Sequence, residues 1–235
     1  EQSRIITSPV INDDNPFYGY GPGGNDTNDK IFALSYDEVM NTAYGFVNDL
    51  GYDGQRKAQG TDYAKSQGLY VYDAPGESHD GDSLWWLRSP GVGSNVAGFI
   101  KGNGNVEDIG STTFSNLGYT HLGIRPALRI YQAFIGSTPY KTGDIIEYGS
   151  YPQSKVTDTS LITALNSCSL SAEQTVMYNG EKYRKVIFSQ YTPYFTGAPA
   201  TTTYSYQDDN GYYINTVYWF KFEPIRWRVL SNNNG

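Results

Sequence analysis

An α+β fold made of short antiparallel strands and a few short helices is predicted by the sequence. Short apolar and β-branched runs recur along the chain, and clusters of Gly, Asn and Pro separate them. Helical patterns are few and brief. A doubly wound α/β fold would instead alternate strands with longer helices, and this alternation is absent. We therefore expect small antiparallel sheets.

Three helices are predicted, and each begins at a residue that can cap it. Ser35 and Glu38 form a capping box that opens the first helix. Thr61 and Asp158 are N-cap candidates for the second and third. Glycines end the first two, which gives the ranges 35–44 and 61–68. The third is recognised by one apolar face, formed by Leu161, Ile162 and Leu165.

Strands are predicted wherever a short apolar or alternating run is bounded by turn residues. The predicted strands are 31–34, 85–88, 96–100, 106–109, 125–130, 144–148, 182–188, 212–222 and 225–230. Asn103-Gly104 and Asn179-Gly180 are strong hairpin turns, and a further turn is expected at 209–211. Trp85 and Trp86 are adjacent on a strand, so one is expected in the core and the other under a loop.

Composition and charge exclude several classes of function. The chain has 17 Lys and Arg against 24 Asp and Glu, a net charge of −7, which disfavours nucleic acid and anionic membrane surfaces as partners. No apolar run reaches the ~18 residues of a membrane span. One cysteine, Cys168, excludes a disulfide framework and a cysteine-rich metal site. The 22 tyrosines are typical of an exposed, adhesive surface in an extracytoplasmic protein.

The sequence offers little support for catalysis, a metal or a cofactor. Cys168 has no neighbouring histidine, and neither His79 nor His121 belongs to a triad motif. The acidic loop 77–82 lacks the D-x-D-x-D-G pattern of a calcium loop. No glycine-rich nucleotide loop is present. We therefore expect no enzyme, no metal and no cofactor, with a carboxylate-pair glycosidase as the one enzymatic alternative.

Five sequence blocks resemble a bacterial domain family. They are G-D-I-I-E-Y-G-S-Y-P-Q at 143–153, E-P-I-R-W-R-V-L at 223–230, D-K-I-F-A-L-S at 29–35, W-W-L-R-S-P-G at 85–91 and G-I-R-P-A-L at 123–128. The family is an uncharacterised domain of secreted and surface proteins, similar to the C-type-lectin-like fold. The resemblance implies that fold for this chain.

The blocks stand in reverse order, because the family's opening half follows its closing half here. Residues 1–131 are thus expected to be the C-terminal half of one domain, 132–142 a linker, and 143–235 the N-terminal half of a following or complementing domain. Both ends of the chain look cut, as a piece spanning a tandem junction would be. The alternative is a chain cut or numbered out of natural order. Half-domains completed by neighbouring chains or repeats are a further hypothesis.

The closing half also resembles, distantly, the formylglycine-generating-enzyme branch of the same superfamily. There, two strands comparable to those at Arg88 and Arg125 bracket a loop region with ligand contacts. By this resemblance the candidate ligand-binding residues are Arg88, Asn95, Phe99, Asn103, Asn105, Phe114, Asn116, Tyr119 and Arg125. Arginines that end strands beside proline are more often structural, and in that interpretation the two arginines bind loop carbonyls or pair with a carboxylate.

Tyrosine pairs indicate either a binding surface or cross-strand packing, and the sequence does not separate these two interpretations. The pairs are Tyr18/Tyr20, Tyr70/Tyr72, Tyr191/Tyr194, Tyr204/Tyr206 and Tyr212/Tyr213.

The predicted function is an extracellular or cell-surface binding or adhesion module, a repeat unit of a larger bacterial surface protein. Its expected partners are a glycan or a protein of a host or neighbouring cell. A structural self-assembly unit, in which half-domains associate, is the alternative, and a carbohydrate-active enzyme is the third.

Overall fold

The computed structural model describes residues 4–16, 22–91, 93, 95–107, 118–131 and 140–232. This part of the chain consists mostly of small, mainly antiparallel sheets with few helices, in agreement with the α+β expectation. We call residues 4–131 the first part and residues 140–232 the second part. The predicted linker 132–142 lies largely outside the described residues.

The strands of the first part form three sheets, with orders β1-β9-β4, β2-β3 and β7-β6-β5-β8. All pairs are antiparallel except β5 with β8, which is parallel. The strands are β1 (Ile5–Ile6), β2 (Ser8–Val10), β3 (Thr27–Asp29), β4 (Ile31–Ala33), β5 (Trp85–Pro90), β6 (Ala97–Ile100), β7 (Val106–Glu107), β8 (Gly123–Ile124) and β9 (Pro126–Ile130).

The second part contains one four-stranded antiparallel sheet, with order β10-β13-β12-β11. Its strands are β10 (Ile145–Lys155), β11 (Thr175–Tyr178), β12 (Glu181–Val186) and β13 (Tyr218–Arg228). The predicted turn at Asn179-Gly180 joins β11 to β12, and both residues have positive φ, 50° and 82°. Such a turn matches the twist of the strands it connects.

All three predicted helices are present. They are α1 (Tyr36–Val39), α2 (Asp62–Ser66) and α3 (Thr159–Asn166). The capping box of Ser35 and Glu38 is formed as predicted, and Thr61 and Asp158 cap the other two. A 3₁₀ turn at Thr42–Tyr44 replaces the second half of the first predicted helix, before Gly45 in the left-handed region. Among the described residues, no helix is both long and apolar enough to span a membrane.

Several strand predictions were wrong in extent, among them 144–148, which the structure extends to Lys155. Residues 212–217 are not a strand, because the chain turns there through Asn215, whose φ is 58°. Residues 218–228 instead form one strand that joins two predicted ones. The strand predicted to stop at Ser89 continues to Pro90, since an irregularity in the β5–β6 register accommodates the proline. The turn expected at 209–211 is present, but it lies outside the strand ladders.

The core consists of separate clusters. One, built on Trp85, Tyr36 and Ile100, lies in the first part, and another, built on Trp219 and Leu165, lies in the second. The apolar face predicted for α3 packs into the latter. Trp85 is 2% exposed and Trp86 is only partly buried, as expected for adjacent residues of one strand.

Candidate ligand-binding surface

The two parts of the chain meet along a contact that we call the seam. Tyr63 of α2 enters a cluster whose other buried members come from the second part, Tyr212, Tyr218 and Phe220. Its ring lies 5.5 Å from the ring of Phe220, edge to face. The seam thus includes a shared hydrophobic core, and such buried aromatic contacts stabilise an interface strongly.

Polar side chains also form hydrogen bonds across the seam. Gln207, 2% exposed, donates from Nε2 to the carbonyl of Ser66 across the seam, and it accepts from the amide of Thr192 within the second part. Asn210 donates to the carbonyl of Leu69 at 2.8 Å. A buried polar group without a hydrogen-bond partner lowers the stability of the fold. These bonds therefore favour one relative placement of the two parts.

Aromatic rings from both parts gather at one region of the seam, which we call the aromatic cluster. Its members are Tyr70, Tyr72, His79, Tyr119, His121, Tyr194, Phe195, Tyr204 and Tyr206. Neighbouring centroids lie between 5.0 Å, for Tyr70 and Tyr206, and 6.4 Å, for Tyr119 and Tyr194. Most pairs are edge-to-face or tilted, the arrangements that aromatic quadrupoles favour.

Backbone hydrogen bonds hold the cluster in place. Within the first part, the amide of Tyr70 donates to the carbonyl of His121 at 2.9 Å. Across the seam, the amide of Thr120 donates to the carbonyl of Tyr194 at 3.0 Å, and Tyr119 forms an isolated bridge with Phe195. The rings are therefore carried by hydrogen-bonded backbone on both sides of the seam.

The exposure of the rings in the cluster increases from the interior of the protein to its surface. His121 is 1% exposed, whereas Phe195 and Tyr204 are each 37% exposed. Tyr119, Tyr194 and the other tyrosines lie between these extremes. A contiguous set of aromatic rings, buried at one end and exposed at the other, is typical of a ligand-contacting surface.

Burial favours the neutral form of four titratable groups of the cluster. Burial raises the pKa of Tyr70, Tyr72 and Tyr206, and adjacent tyrosines raise the last two further. Burial lowers the pKa of His121, although its hydrogen bond to the Tyr194 carbonyl partly opposes this. Nδ1 lies 3.1 Å from that carbonyl, which only accepts, so the neutral ring donates from Nδ1. The surface therefore offers hydroxyl groups without charge.

We expect the protein to lose stability as the pH falls below about 6.5, the ordinary pKa of an unfolded histidine. Because the folded pKa of His121 is lowered, the unfolded chain binds the proton first, and folding loses up to about 1.4 kcal/mol per pH unit until the folded pKa is reached. Urea unfolding at pH 8, 6.5 and 5 measures this loss.

His121→Gln is the matched variant, because glutamine is a polar side chain of similar size that does not titrate. Asp209, near Tyr206, has a pKa raised by burial and by Asp208. A raised pKa in the folded state increases stability as the pH falls, which is opposite to the effect of His121. The informative quantity is thus the difference in pH slope between the wild type and His121→Gln. Equal slopes would contradict the role assigned to His121.

Arg88, the first of the residues predicted to bind a ligand, serves as a structural crosslink. Its guanidinium pairs with Glu38 and donates to the carbonyls of Ala33, at 2.8 Å, and Ile11. A cleft of about 200 Å³ lies beside it, with Phe32 in its wall. The hydrogen-bonding groups of Arg88 face the protein, as the structural interpretation of its sequence position expects.

Arg125 has a similar role. Its Nη1 donates to the carbonyls of Gln55 and Arg56, at 3.1 and 3.3 Å, and its guanidinium lies 5.5 Å from the ring of Trp85. Burial lowers its pKa first, and the nearby Arg228 lowers it further. Arg125 therefore joins the 55–57 loop to the core of the first part.

The other predicted residues fall in three places. Phe99 was expected near a ligand-presenting surface, and this was wrong: it is 3% exposed, because both faces of β6 are covered, with Ile100 in the cluster of Trp85 and Phe99 in a cluster with Leu84 and Leu122. Asn95, Asn103 and Asn105 lie in the turns before and after β6. Phe114 and Asn116 lie outside the described residues. Among these residues, only Tyr119 belongs to the aromatic cluster.

Two features of the cluster have no local signal in the sequence. His121 was set aside for lack of a triad motif, and no local signal shows that it is buried at the seam. The tyrosine pairs were noted, but 70/72 and 204/206 are far apart in the chain, and their meeting depends on the seam. Tyr18 and Tyr20 lie outside the described residues, and Tyr212 is a core residue.

No set of three or more His, Cys, Asp or Glu side chains is arranged to hold a metal ion within the described residues. In the acidic loop, Asp82 is buried and paired with Lys57 at 2.6 Å. Its carboxylate therefore stabilises the fold around 57–82.

Comparison with known proteins identifies the family. No curated protein and no solved structure matches the chain. A family model, described as a domain of unknown function (DUF6273), matches residues 1–132. This match confirms the expectation of an uncharacterised domain family. Since it covers more than half of the 235 residues, the chain belongs to the DUF6273 family.

Proposed function

We propose that this protein is a non-enzymatic binding or adhesion module, and that the exposed side of the aromatic cluster is its ligand-binding surface. The observation that carries the proposal is the convergence of aromatic side chains from both parts of the chain, which ends in the half-exposed rings of Phe195 and Tyr204. Such rings give large contact area at low cost in conformational entropy.

A glycan is the ligand class that suits this chemistry best. The cluster combines apolar ring faces with neutral tyrosine hydroxyls, and burial keeps several of these hydroxyls protonated. Sugar rings present C–H faces that pack on aromatic rings and hydroxyls that exchange hydrogen bonds with tyrosine. A protein ligand would use the same rings as contact area, and the binding experiment separates the two.

We further propose an extracellular or cell-surface location in a bacterium and a C-type-lectin-like fold. The low content of charged residues, 17%, and the 22 tyrosines support the location. The sequence blocks at 85–91 and 123–128 support the fold. Half-domains at 1–131 and 143–235 are supported by the strand ladders of the described residues, each of which stays within one part.

Screening against a glycan array, followed by calorimetry with the glycans that bind, tests the proposal. Phe195→Ala and Tyr204→Ala should each weaken binding about tenfold, because each removes one exposed aromatic contact. The melting temperature of these variants should stay within a few degrees of the wild type. The matched control is Tyr213→Ala, a 53% exposed tyrosine outside the cluster, which should bind normally.

Three outcomes would contradict the proposal in different ways. Binding that is unchanged by either cluster variant would move the site elsewhere. Binding of a protein, with none of any glycan, would overturn the ligand class. Hydrolysis of the bound glycan would favour the carbohydrate-active enzyme instead.

A further inference from the structure

The seam joins two units that are each complete in their own strand pairing. Every sheet of the described residues lies wholly in one part, and only the isolated bridge between Tyr119 and Phe195 pairs backbone across the seam in β fashion. Undocking the two parts would therefore break no sheet. It would separate side-chain contacts and a few backbone hydrogen bonds.

Those contacts are specific and distributed over the whole seam. Near α2, the amide of Lys155 donates to Asp62 at 3.0 Å, and the guanidinium of Arg184 lies 5.4 Å from the ring of Tyr63. At the far end, Arg228 lies 5.1 Å from the ring of Phe46, and Leu230 packs against the core of the first part. Each part thus presents a surface complementary to the other.

We propose that residues 140–232 dock onto residues 4–131 as a separate body, and that the seam accepts the same segment of a second copy of this chain. The contacts at the seam are noncovalent, so they are the same whichever chain supplies the segment. The covalent connection between the parts only raises their local concentration. Exchange of an identical element between copies is a direct route to assembly.

The aromatic cluster takes its rings from both parts of the chain. Tyr70, Tyr119 and His121 come from the first part, and Tyr194 and Tyr206 from the second. In an exchanged assembly each cluster would be completed by two chains. The assembly is measured without ligand, so its failure is distinguishable from failure of the proposed binding function.

The test cuts the folded chain of 235 residues. A protease site is inserted between Gly136 and Ser137, and the purified protein is cleaved. We expect the two fragments to elute together at micromolar concentration, with unchanged near-ultraviolet circular dichroism. Separation of the fragments, or loss of the folded signal on cleavage, would overturn the proposal. A dilution series then gives the dissociation constant of the fragments.

Two variants separate a seam contact from general stability. Gln207→Ala removes the hydrogen bond to the Ser66 carbonyl, which crosses the seam, and one bond from the Thr192 amide within the second part, so it should weaken fragment association about 10- to 100-fold. Gln153→Ala removes two hydrogen bonds within the second part, to the carbonyls of Glu223 and Pro224, and should change it less than about threefold. Equal effects of the two variants would contradict docking at this seam.

Exchange between copies is measured directly by native mass spectrometry. Cleaved protein is mixed with cleaved ¹⁵N-labelled protein at the dilution or urea concentration at which half of the complexes are apart. We expect hybrid pairs to reach about half of all complexes, as mass action requires for identical surfaces. Complexes that remain parental under these conditions would overturn the exchange.

Discussion

Replacing Arg56 with methionine should lower the free energy of unfolding by about 3–5 kcal/mol, the largest effect that we expect from a single substitution. Arg56 is 0% exposed, and its guanidinium donates to a ring of loop carbonyls while lying 3.6 Å from Asp53. The carbonyls belong to Val39, Val47, Asp49 and Gly51.

Methionine keeps much of the side-chain volume but has no hydrogen-bond donor. The carbonyls then lose their donor, and the Asp53 carboxylate, 4% exposed, loses its cation. Burial lowers the pKa of Arg56 while Asp53 and Asp49 raise it, so the cation is stabilised by its partners rather than by water. Urea unfolding, followed by tryptophan fluorescence, measures the loss.

Arg129→Met is the matched control, because Arg129 is exposed and its loss should cost less than about 0.5 kcal/mol. The Arg56→Lys protein should also be less stable than the wild type, because a single ammonium group cannot donate to all the carbonyls that surround the planar guanidinium. An Arg56→Met protein with the urea midpoint of the wild type would contradict this account.

Truncating Tyr63 to alanine should cost about 3 kcal/mol and should loosen the seam first. Tyr63 is 8% exposed, and its ring contacts the rings of Tyr151, at 5.3 Å, and Phe220. The cavity would open between the two parts, because Tyr63 is the buried contribution of α2 to a cluster otherwise formed by the second part.

Hydrogen exchange distinguishes this local effect from general destabilisation. In Tyr63→Ala the amides of Asn210 and Tyr212 should lose protection before those of β5, since these residues lie at or near the seam. Tyr52→Ala, at a 61% exposed tyrosine, should leave both regions unchanged. Uniform loss of protection in Tyr63→Ala would show that the two parts do not open separately.

Local elements were predictable because their signals are local. The box formed by Ser35 and Glu38, the caps Thr61 and Asp158, and the Asn179-Gly180 hairpin each depend on residues a few positions apart. The wrong strand prediction at 212–217 also comes from a local signal. The run contains apolar residues and Tyr212 is buried, but a buried residue need not lie in a strand.

Candidate site residues were predictable only in type. The sequence indicated tyrosine pairs and two arginines with a structural interpretation, yet it did not indicate Arg56, whose burial among carbonyl groups depends on the tertiary structure. Tyr119 was named through the resemblance, whereas Phe99 was misplaced because both faces of β6 are covered by other elements.

Composition and short-range spacing are enough to predict the acidic charge, the tyrosine excess, short antiparallel strands with few helices, and the caps and turns. The seam, the aromatic cluster and the burial of His121 and Arg56 follow from the tertiary structure alone. These depend on contacts between residues distant in the chain, such as Tyr70 with Tyr206, and which of many apolar pairings forms is set by the packing of the whole molecule.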